Sequence, residues 1–353
     1  MRPWVLRGTR GSSDTSAPFL LQFHPVVEPH PTLRAVLGRA LARSARTGWF
    51  LVRIMVPLSA GIGLLQWTGT LEWIGRRLAP AMGLFGLPGE AAVALVAGAV
   101  AGVYGGVAAA AAVPLTKVQL TVLALMVLTA HNLVVESAVQ SRSGTSGLRV
   151  SAVRVATGLL LGALLWQTLG RGDAGAAAVP SALPPPAEAT FAAFAAAWAR
   201  GAAYLVLKVG LILLGLMIAT ELMRAYGVID ALVRPVRPIV RFLGLSERVS
   251  FLWLTAIFLG IAYGAGLIIQ DAAEPGRFRP GDLRDLHVSI GLCHSVLEDT
   301  VLFVAIGASP FWILAPRPIA AALVVRAVRR LVPARPVALR VGGGAGDRAE
   351  ERA

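Results

Sequence analysis

The sequence Ala130-His131-Asn132-Leu133-Val134-Val135-Glu136 places a histidine and an acid inside a long apolar segment, and Cys293-His294-Ser295-Val296-Leu297-Glu298-Asp299-Thr300 repeats the arrangement. An ionisable side chain inside a membrane costs several kcal/mol, so residues of this kind usually have a function there. Because one chain carries this costly combination twice, we expect both copies to contribute to the functional site.

The sequence around these motifs is typical of a membrane protein. The 353 residues have a mean hydropathy of +0.69; 56% are hydrophobic and 15% are charged. As a helix, a segment of about twenty residues crosses a hydrocarbon core of roughly 30 Å. We therefore expect an all-α, polytopic helical membrane protein, with the lipid bilayer as its partner. The apolar segments of this length lie at 48–67, 119–140, 150–169, 203–223, 285–307 and 309–328.

The formal charge of +14 comes mainly from arginines between the apolar segments. Such a distribution is what the positive-inside bias produces. No basic and aromatic platform accompanies it, so we expect no nucleic-acid partner. Cys293 is the only cysteine, which excludes an intrachain disulfide and a cysteine-rich metal site.

Composition divides the rest of the chain. Gly69 to Phe85 is too polar to span and predicts an interfacial helix broken at Pro80. Residues 88–113 are rich in glycine, which predicts either a helix packed through small residues or a re-entrant hairpin turning near Tyr104-Gly105-Gly106. The predicted divisions are a flexible cytoplasmic tail at 1–31, a basic amphipathic helix at 32–47, one repeat at 48–169, a Pro/Ala-rich linker at 170–195, a second repeat at 196–332 and a flexible cytoplasmic tail at 333–353.

The two halves are related by an internal repeat. A shift of 158 residues aligns Gly69 with Gly227, Glu72 with Asp230, Pro80 with Pro238, Gly86-Leu87 with Gly244-Leu245, and Gly102 with Gly260. With a further insertion of five residues, His131 aligns with His294 and Glu136 with Asp299. Matches that keep their order over this distance indicate duplication.

The loop charges decide how the halves are oriented. If the glycine-rich segments cross the membrane, the halves are parallel and the loop Lys and Arg residues divide 14 to 11 between the two faces. If those segments are re-entrant, the halves are inverted and the division is 19 to 6, with Arg154 counted inside and Arg317 outside. The positive-inside rule favours the second arrangement. We expect six spanning helices, two re-entrant glycine-rich hairpins, interfacial amphipathic helices, an external linker and both termini in the cytoplasm.

Several of these motifs resemble a known family. Gly86-Leu87-Pro88-Gly89-Glu90, the glycine run to Gly106 and the His131 to Glu136 motif are similar to the nucleoside recognition, or Gate, domain family. That family includes concentrative nucleoside transporters, ferrous-iron transport protein B and spore maturation proteins A and B. The resemblance covers 48–169 and, more weakly, 204–332, and so implies two Gate-like repeats. The chain departs from the iron transporter, because it has no G-x-x-x-x-G-K-[ST] phosphate loop. It also lacks the fuller set of helices that nucleoside transporters place around their two hairpins.

Inverted repeats predict where a site would form. In such transporters broken helices meet near the midplane and bind solute or ions. Neutral histidine donates and accepts hydrogen bonds, and carboxylates accept them or bind cations. The alternative is that these groups satisfy one another and only hold the helices in place. The candidate substrate-binding residues are His131, Asn132, Glu136, His294, Ser295, Glu298, Asp299, Gly105, Gly106, Gly264 and Gly266.

Helical geometry predicts different contacts for the two motifs. On an uninterrupted helix His294 and Glu298 share a face and can pair. His131 and Glu136 would lie about 140° apart, so each would contact neighbouring helices instead.

Three functions fit this pattern. The first is a transporter that moves a small polar solute, with a nucleoside as one candidate, by alternating access with cation or proton coupling. The second is a divalent metal-ion permease that uses the histidines and acids, although their spacing matches no recognised metal signature. The third is a non-transporting membrane component that assembles with a partner protein, as a homo-oligomer or with another membrane protein.

Other expectations follow from what the sequence lacks. It contains no nucleophile elbow, H-E-x-x-H motif or phosphate loop, so we expect neither an enzyme nor a cofactor. We expect a multi-pass protein of the bacterial inner (plasma) membrane.

Overall fold

The computed structural model describes residues 32–173, 175–179, 190–259, 261–272, 274 and 276–332. Seven helical segments in these ranges are long and apolar enough to cross a membrane, judged by length and composition. The chain is therefore a polytopic helical membrane protein, as predicted. The two predicted tails, and residues 174 and 180–189 of the predicted linker, lie outside the described residues.

The helices follow one another with short connections. The α-helices are α1 (Leu33–Trp67), α2 (Thr70–Met82), α3 (Ala91–Ala110), α4 (Lys117–Ala130), α5 (Leu133–Arg142), α6 (Gly147–Leu169), α7 (Phe191–Ala225), α8 (Val228–Phe242), α9 (Ser250–Leu259), α10 (Ile261–Ala272), α11 (Asp282–Cys293), α12 (Val296–Ala305), α13 (Pro310–Leu314) and α14 (Pro316–Leu331). Single-turn 3-10 helices lie at Gly83–Phe85, Gly170–Gly172 and Glu247–Val249.

The long helices α1 and α7 show that the repeats are inverted. Each has 35 residues, and the shift of 158 residues superimposes their first residues, Leu33 and Phe191. Arg43, near the start of α1, pairs with Glu221, near the end of α7. At the opposite end, the ring of Trp67 lies 5.6 Å from that of Phe191. Equivalent helices are thus antiparallel, as a two-fold axis in the membrane plane requires.

Two helix boundaries differ from the prediction. α1 runs without interruption from Leu33 to Trp67, so the predicted basic amphipathic helix and the first span are one helix. Gly48 is the only glycine at that junction, and a single glycine costs about 1 kcal/mol, too little to end a long helix. α2 continues through Pro80 to Met82, so the predicted break at the proline is wrong.

The first glycine-rich segment is a helical hairpin. In α3 the backbone at Gly102 has φ 76° and ψ −171°, which L side chains rarely adopt. A Cβ on Gly106 would lie 3.4 Å from the Cα of Gly98, whereas these residues would be about 12 Å apart in a straight helix. The predicted re-entrant turn is therefore confirmed, but it falls at Gly102. Gly105 and Gly106 lie in the returning arm, where small residues allow the arms to touch.

The second repeat has the corresponding pair of short helices. α9 ends at Leu259, α10 begins at Ile261, and the two helices contact each other. The repeat alignment places the counterpart of Gly102 at residue 260, which lies outside the described residues. Helix bounds and alignment thus agree on the position of the second hairpin.

Two predicted spans are broken in the middle. The predicted helix at 119–140 ends at Ala130 and resumes at Leu133, because His131 is extended and Asn132 has φ 53°. The predicted helix at 285–307 breaks in the same way at His294, which is extended, and Ser295, which has φ 48°. The uninterrupted helices assumed for these motifs are therefore wrong.

Part of the linker packs on the first repeat. The backbone N–H of Val179 donates to the Leu115 carbonyl at 2.8 Å, and Ala178 forms an antiparallel bridge with Thr116. The predicted linker was drawn to residue 195, but α7 already begins at Phe191.

Candidate functional site

The two helix breaks meet at the centre of the molecule. The rings of His131 and His294 stack with their centroids 4.8 Å apart and their planes 29° apart. Both residues are almost fully buried. Each follows the last residue of a helix, α4 or α11, so the sequence places both imidazoles at the ends of half-helices. The pseudo-two-fold axis therefore passes close to this histidine pair.

Each histidine faces the acid of the other repeat. His131 Nε2 lies 3.3 Å from Asp299 Oδ2, and His294 Nε2 lies 3.3 Å from Glu136 Oε1. Both acids are buried and lie in the first turns of α5 and α12, where a helix N-terminus favours negative charge. The pairs therefore connect the repeats across the axis. The predicted pairing of His294 with Glu298 on one helix face is wrong, because the chain breaks between them.

The ring nitrogens have a defined arrangement. His131 Nδ1 lies 3.2 Å from the Leu128 carbonyl, and His294 Nδ1 lies 2.7 Å from the Ile290 carbonyl. A carbonyl only accepts, so each Nδ1 carries a hydrogen and donates it. In a neutral ring Nε2 then presents a lone pair to the carboxylate. Two acceptors at this distance repel each other unless a proton or a metal ion lies between them.

The surroundings of the two carboxylates agree with the requirement for a proton or a metal ion between each carboxylate and its histidine. Glu136 Oε1 and Asp299 Oδ2 make no hydrogen bond with the described residues, although each has a histidine nitrogen 3.3 Å away. A buried acceptor without a donor costs about 1–3 kcal/mol. Each of these two contacts between a histidine nitrogen and a carboxylate oxygen therefore requires a proton or a cation to be favourable.

Two arginines that sequence analysis missed support the helix breaks. Arg154 donates from Nε to the Thr129 carbonyl at 3.0 Å and from Nη2 to the His131 carbonyl at 2.8 Å. Arg317 donates in the same way to the Leu292 carbonyl at 3.1 Å and the His294 carbonyl at 2.9 Å. The last carbonyls of a helix lack intrahelical partners. These guanidinium groups supply donors where the chain leaves α4 and α11.

The first arginine also binds an acid. Arg154 Nη1 donates to Glu136 Oε2 at 2.6 Å, and both side chains are buried. The counting of Arg154 and Arg317 as loop charges is therefore wrong, although removing one from each face preserves the charge bias. A signal for them was present, since the offset of 163 residues that aligns His131 with His294 also aligns Arg154 with Arg317.

The tip of the first hairpin touches this centre. A Cβ on Gly102 would lie 3.9 Å from the Asn132 side chain, and the Asn132 N–H donates to the Gly98 carbonyl at 2.9 Å. In the returning arm, the Tyr104 hydroxyl donates to Glu298 at 2.5 Å. The hairpin thus contacts the helix breaks of both repeats.

The structure brings together some predicted site residues and separates others. His131, Glu136, His294 and Asp299 form the centre, with Asn132, Ser295 and Glu298 at its edge. Gly105 and Gly106 lie between the hairpin arms. Gly264 and Gly266 lie in α10, where Gly266 is exposed.

A second polar contact between the repeats was not predicted. His287 in α11 is fully buried, with Nε2 3.1 Å from Ser143 Oγ and Nδ1 2.8 Å from Thr145 Oγ1. It ties the start of the second broken span to the loop after the first.

Broken helices, a re-entrant hairpin and antiparallel equivalent helices define an integral membrane protein of inverted-repeat architecture. Comparison with known proteins then gives the family. The family model for Gate, described as nucleoside recognition, matches residues 49–141 and 206–311, more than half of the chain. The chain belongs to the Gate (nucleoside recognition) family, and the resemblance predicted from sequence is confirmed.

One curated relative agrees with this assignment. The chain is 32% identical over 285 residues to the protein named uncharacterized membrane protein YvoD of Bacillus subtilis (strain 168), an alignment that covers 79% of this chain and 89% of the relative. No solved structure matches the chain.

Proposed function

We propose that the protein is a secondary transporter that moves a small polar solute by alternating access, driven by a cation that binds at the histidine and carboxylate pairs. The observation that carries the proposal is the pair of 3.3 Å contacts between Nε2 and a carboxylate oxygen, each joining one repeat to the other. Rocking of one repeat against the other must part these contacts. A bound cation stabilises the state in which they are closed and so couples its own movement to the conformational change.

A cavity at the end of the α3 hairpin supports entry of a solute. It has a volume of about 550 Å³ and lies between α7, the end of the α3 hairpin and the end of α12. Its lining is mainly apolar, with Tyr204 and Lys208 among the polar residues. The predicted topology opens this cavity to the outside. The Tyr104 to Glu298 hydrogen bond joins the same hairpin arm to the same broken helix, and we propose that it closes the path between cavity and centre.

The test uses purified protein in proteoliposomes with an imposed pH gradient. Uptake of radiolabelled uridine and adenosine is measured beside acidification of the lumen, which reports proton movement. We expect Glu136→Gln combined with Asp299→Asn to abolish uptake, because an amide carries no negative charge to attract a cation and takes up no proton. Glu72→Gln is the matched control, since Glu72 is exposed and its contact with Arg76 is long, at 3.9 Å. Absence of solute and proton movement in the unmodified protein would contradict the proposal and favour a component that assembles with a partner.

A second candidate, a divalent-cation permease, rests on a separate observation. The ligand atoms of His131, Glu136 and His294 lie within 4.8 Å of one another. Ligands bound at about 2.0–2.1 Å to one tetrahedral ion lie roughly 3.4 Å apart, close to the 3.3 Å contact of His294 with Glu136. Hydrogen bonds from Nδ1 to carbonyls are also usual for metal-binding histidines.

The two candidates give different results in one assay. The same liposomes are loaded with a metal-sensitive dye, and Mn²⁺, Fe²⁺ or Zn²⁺ is added outside. Quenching that Glu136→Gln removes and Glu72→Gln retains would favour the permease. Solute uptake without quenching would exclude it.

A further inference from the structure

A second cavity of about 550 Å³ lies away from the centre, at the ends of two spanning segments of the second repeat. α11 begins at Asp282, and α14 carries Arg329 in its last turn, so both helices leave the apolar layer beside this cavity. The predicted topology places this end on the cytoplasmic face. The cavity is therefore at the membrane–water boundary.

Its wall has an excess of positive charge. Four arginines line the cavity, together with three acids. The buried Asp285 has both oxygens occupied, one by Arg284 at 2.8 and 3.0 Å and the other by Arg329 at 2.6 and 2.9 Å. This network fixes two guanidinium planes at the cavity. The lining arginines are Arg248, Arg279, Arg284 and Arg329.

Two of these arginines have guanidinium N–H groups that bind none of the described acids. Within the described part of the chain no acid pairs with Arg248 or Arg279, and Arg248 makes only a 3.4 Å contact with a backbone carbonyl. Glu247 is held by Arg241, and this hydrogen bond lowers the pKa of its carboxyl. The third acid, Asp282, accepts the backbone N–H of Arg279 at 2.9 Å. Two of the three acids at the cavity are thus paired with arginines, and the guanidinium groups of Arg248 and Arg279 have no acid partner among the described residues.

The fold does not require Arg248 or Arg279, whereas Arg284 and Arg329 pair with the buried Asp285. The first repeat builds the same scaffold with Glu90 in place of Arg248, Thr116 for Arg279, Thr121 for Arg284 and Trp166 for Arg329. At that position Trp166 packs on Gly86, where even a Cβ would lie 2.0 Å from its ring. The second repeat thus has an arginine at the cavity wall where the first repeat has an aromatic ring. Arg248 and Arg279 have no basic counterpart in the first repeat and no acid partner among the described residues of the second, which indicates a role other than folding.

We propose that this cavity binds a phosphate group, carried either by an anionic phospholipid or by free phosphate. Planar guanidinium groups match phosphate oxygens with two parallel hydrogen bonds. Basic cavities between membrane helices on the cytoplasmic side are suited to anionic head groups. The position at the boundary lets a lipid phosphate enter from the bilayer and an inorganic phosphate enter from water.

The experiment follows thermal unfolding of the purified full-length protein in a neutral detergent by tryptophan fluorescence. Short-chain phosphatidylglycerol, short-chain phosphatidylcholine and inorganic phosphate are each titrated, with chloride at matched ionic strength. A ligand that binds the folded state raises its Tm in a concentration-dependent way. The variant is Arg248→Gln with Arg279→Gln, which leaves the Asp285 network intact. The matched control is Arg142→Gln with Arg149→Gln, two exposed arginines predicted to lie on the same face.

We expect phosphatidylglycerol to raise the Tm more than phosphatidylcholine. The apparent affinity for phosphatidylglycerol should be at least about tenfold weaker in the variant, since the variant lacks two guanidinium groups that can form charge-assisted hydrogen bonds to the phosphate. The control should respond like the unmodified protein. A response to inorganic phosphate that the variant loses would identify free phosphate as the ligand, and a response to phosphatidylglycerol alone would identify the lipid. Equal responses in variant and unmodified protein, or to both lipids, would overturn the proposal.

Discussion

At the scale of single residues, the centre depends on two buried arginines at interrupted helices. Each break leaves carbonyl groups without intrahelical donors inside a membrane protein, where water cannot replace them. Arg154 and Arg317 donate to these carbonyls at 2.8–3.1 Å. Arg154 also neutralises Glu136, so its loss removes several interactions at once.

We expect Arg154→Ala to destabilise the protein by about 3–5 kcal/mol, the usual cost of breaking a buried ion pair. The midpoint of unfolding in detergent, followed by tryptophan fluorescence, measures the effect. Arg149→Ala is the matched control, because Arg149 is exposed and should change stability by less than about 0.5 kcal/mol. Similar midpoints for the two variants would show that Arg154 has no structural role. Arg154→Lys keeps the positive charge but loses the planar, forked set of guanidinium N–H donors, so it tests whether that arrangement of donors is needed.

At the scale of elements, the first hairpin depends on one backbone conformation. Gly102 has φ 76° and ψ −171°, yet a Cβ there would meet nothing closer than 3.9 Å. The requirement for glycine is therefore conformational and not steric. At Gly106 the requirement for glycine is steric, because a Cβ there would lie 2.7 Å from Val127 Cγ1.

Gly102→Ala should destabilise the protein by about 1–3 kcal/mol, the cost of holding an L residue in a sparsely populated region. Gly210→Ala in α7 provides the comparison, since a Cβ at Gly210 would meet nothing within 4 Å. There we expect no change or a gain of about 0.4–1 kcal/mol. Unfolding midpoints of both variants, measured in the same detergent, test the difference. If Gly102→Ala were as stable as Gly210→Ala, the hairpin turn would have to lie elsewhere.

At the scale of the whole molecule, inversion of the repeats determines which groups meet. The antiparallel packing of α1 against α7 turns one repeat over relative to the other. Equivalent helix breaks then approach each other from opposite sides, and the histidine of each repeat contacts the acid of the other. A single repeat has only half of this centre.

The predicted orientation can be tested by cysteine labelling of intact cells. In a Cys293→Ala background, Arg142→Cys and Arg241→Cys should react with a membrane-impermeant maleimide only after permeabilisation, because both positions are predicted to be cytoplasmic. Arg76→Cys should react in intact cells, as an external position. All three residues are exposed. Labelling of Arg142→Cys and Arg241→Cys from opposite sides would contradict the inverted arrangement.

Much of the fold could be predicted from sequence because hydropathy and charge bias are properties of local segments. The apolar segments and their orientation were found in this way, whereas the repeat, the glycine-rich hairpins and the family were found from residue motifs and their spacing. Helix continuity was predicted less well. The segments 119–140 and 285–307 contain neither glycine nor proline at their breaks, so nothing local marks Asn132 or Ser295 as residues with positive φ.

The sequence by itself determined that this is a helical membrane protein with two related halves, and that His131, Glu136, His294 and Asp299 are its unusual residues. Only the tertiary structure decided their partners. Each histidine contacts an acid more than 150 positions away, and Arg154 and Arg317 lie within the protein and not in loops. Such contacts depend on how inverted helices cross, and the free energy of those crossings comes from packing over the whole molecule and from no single segment.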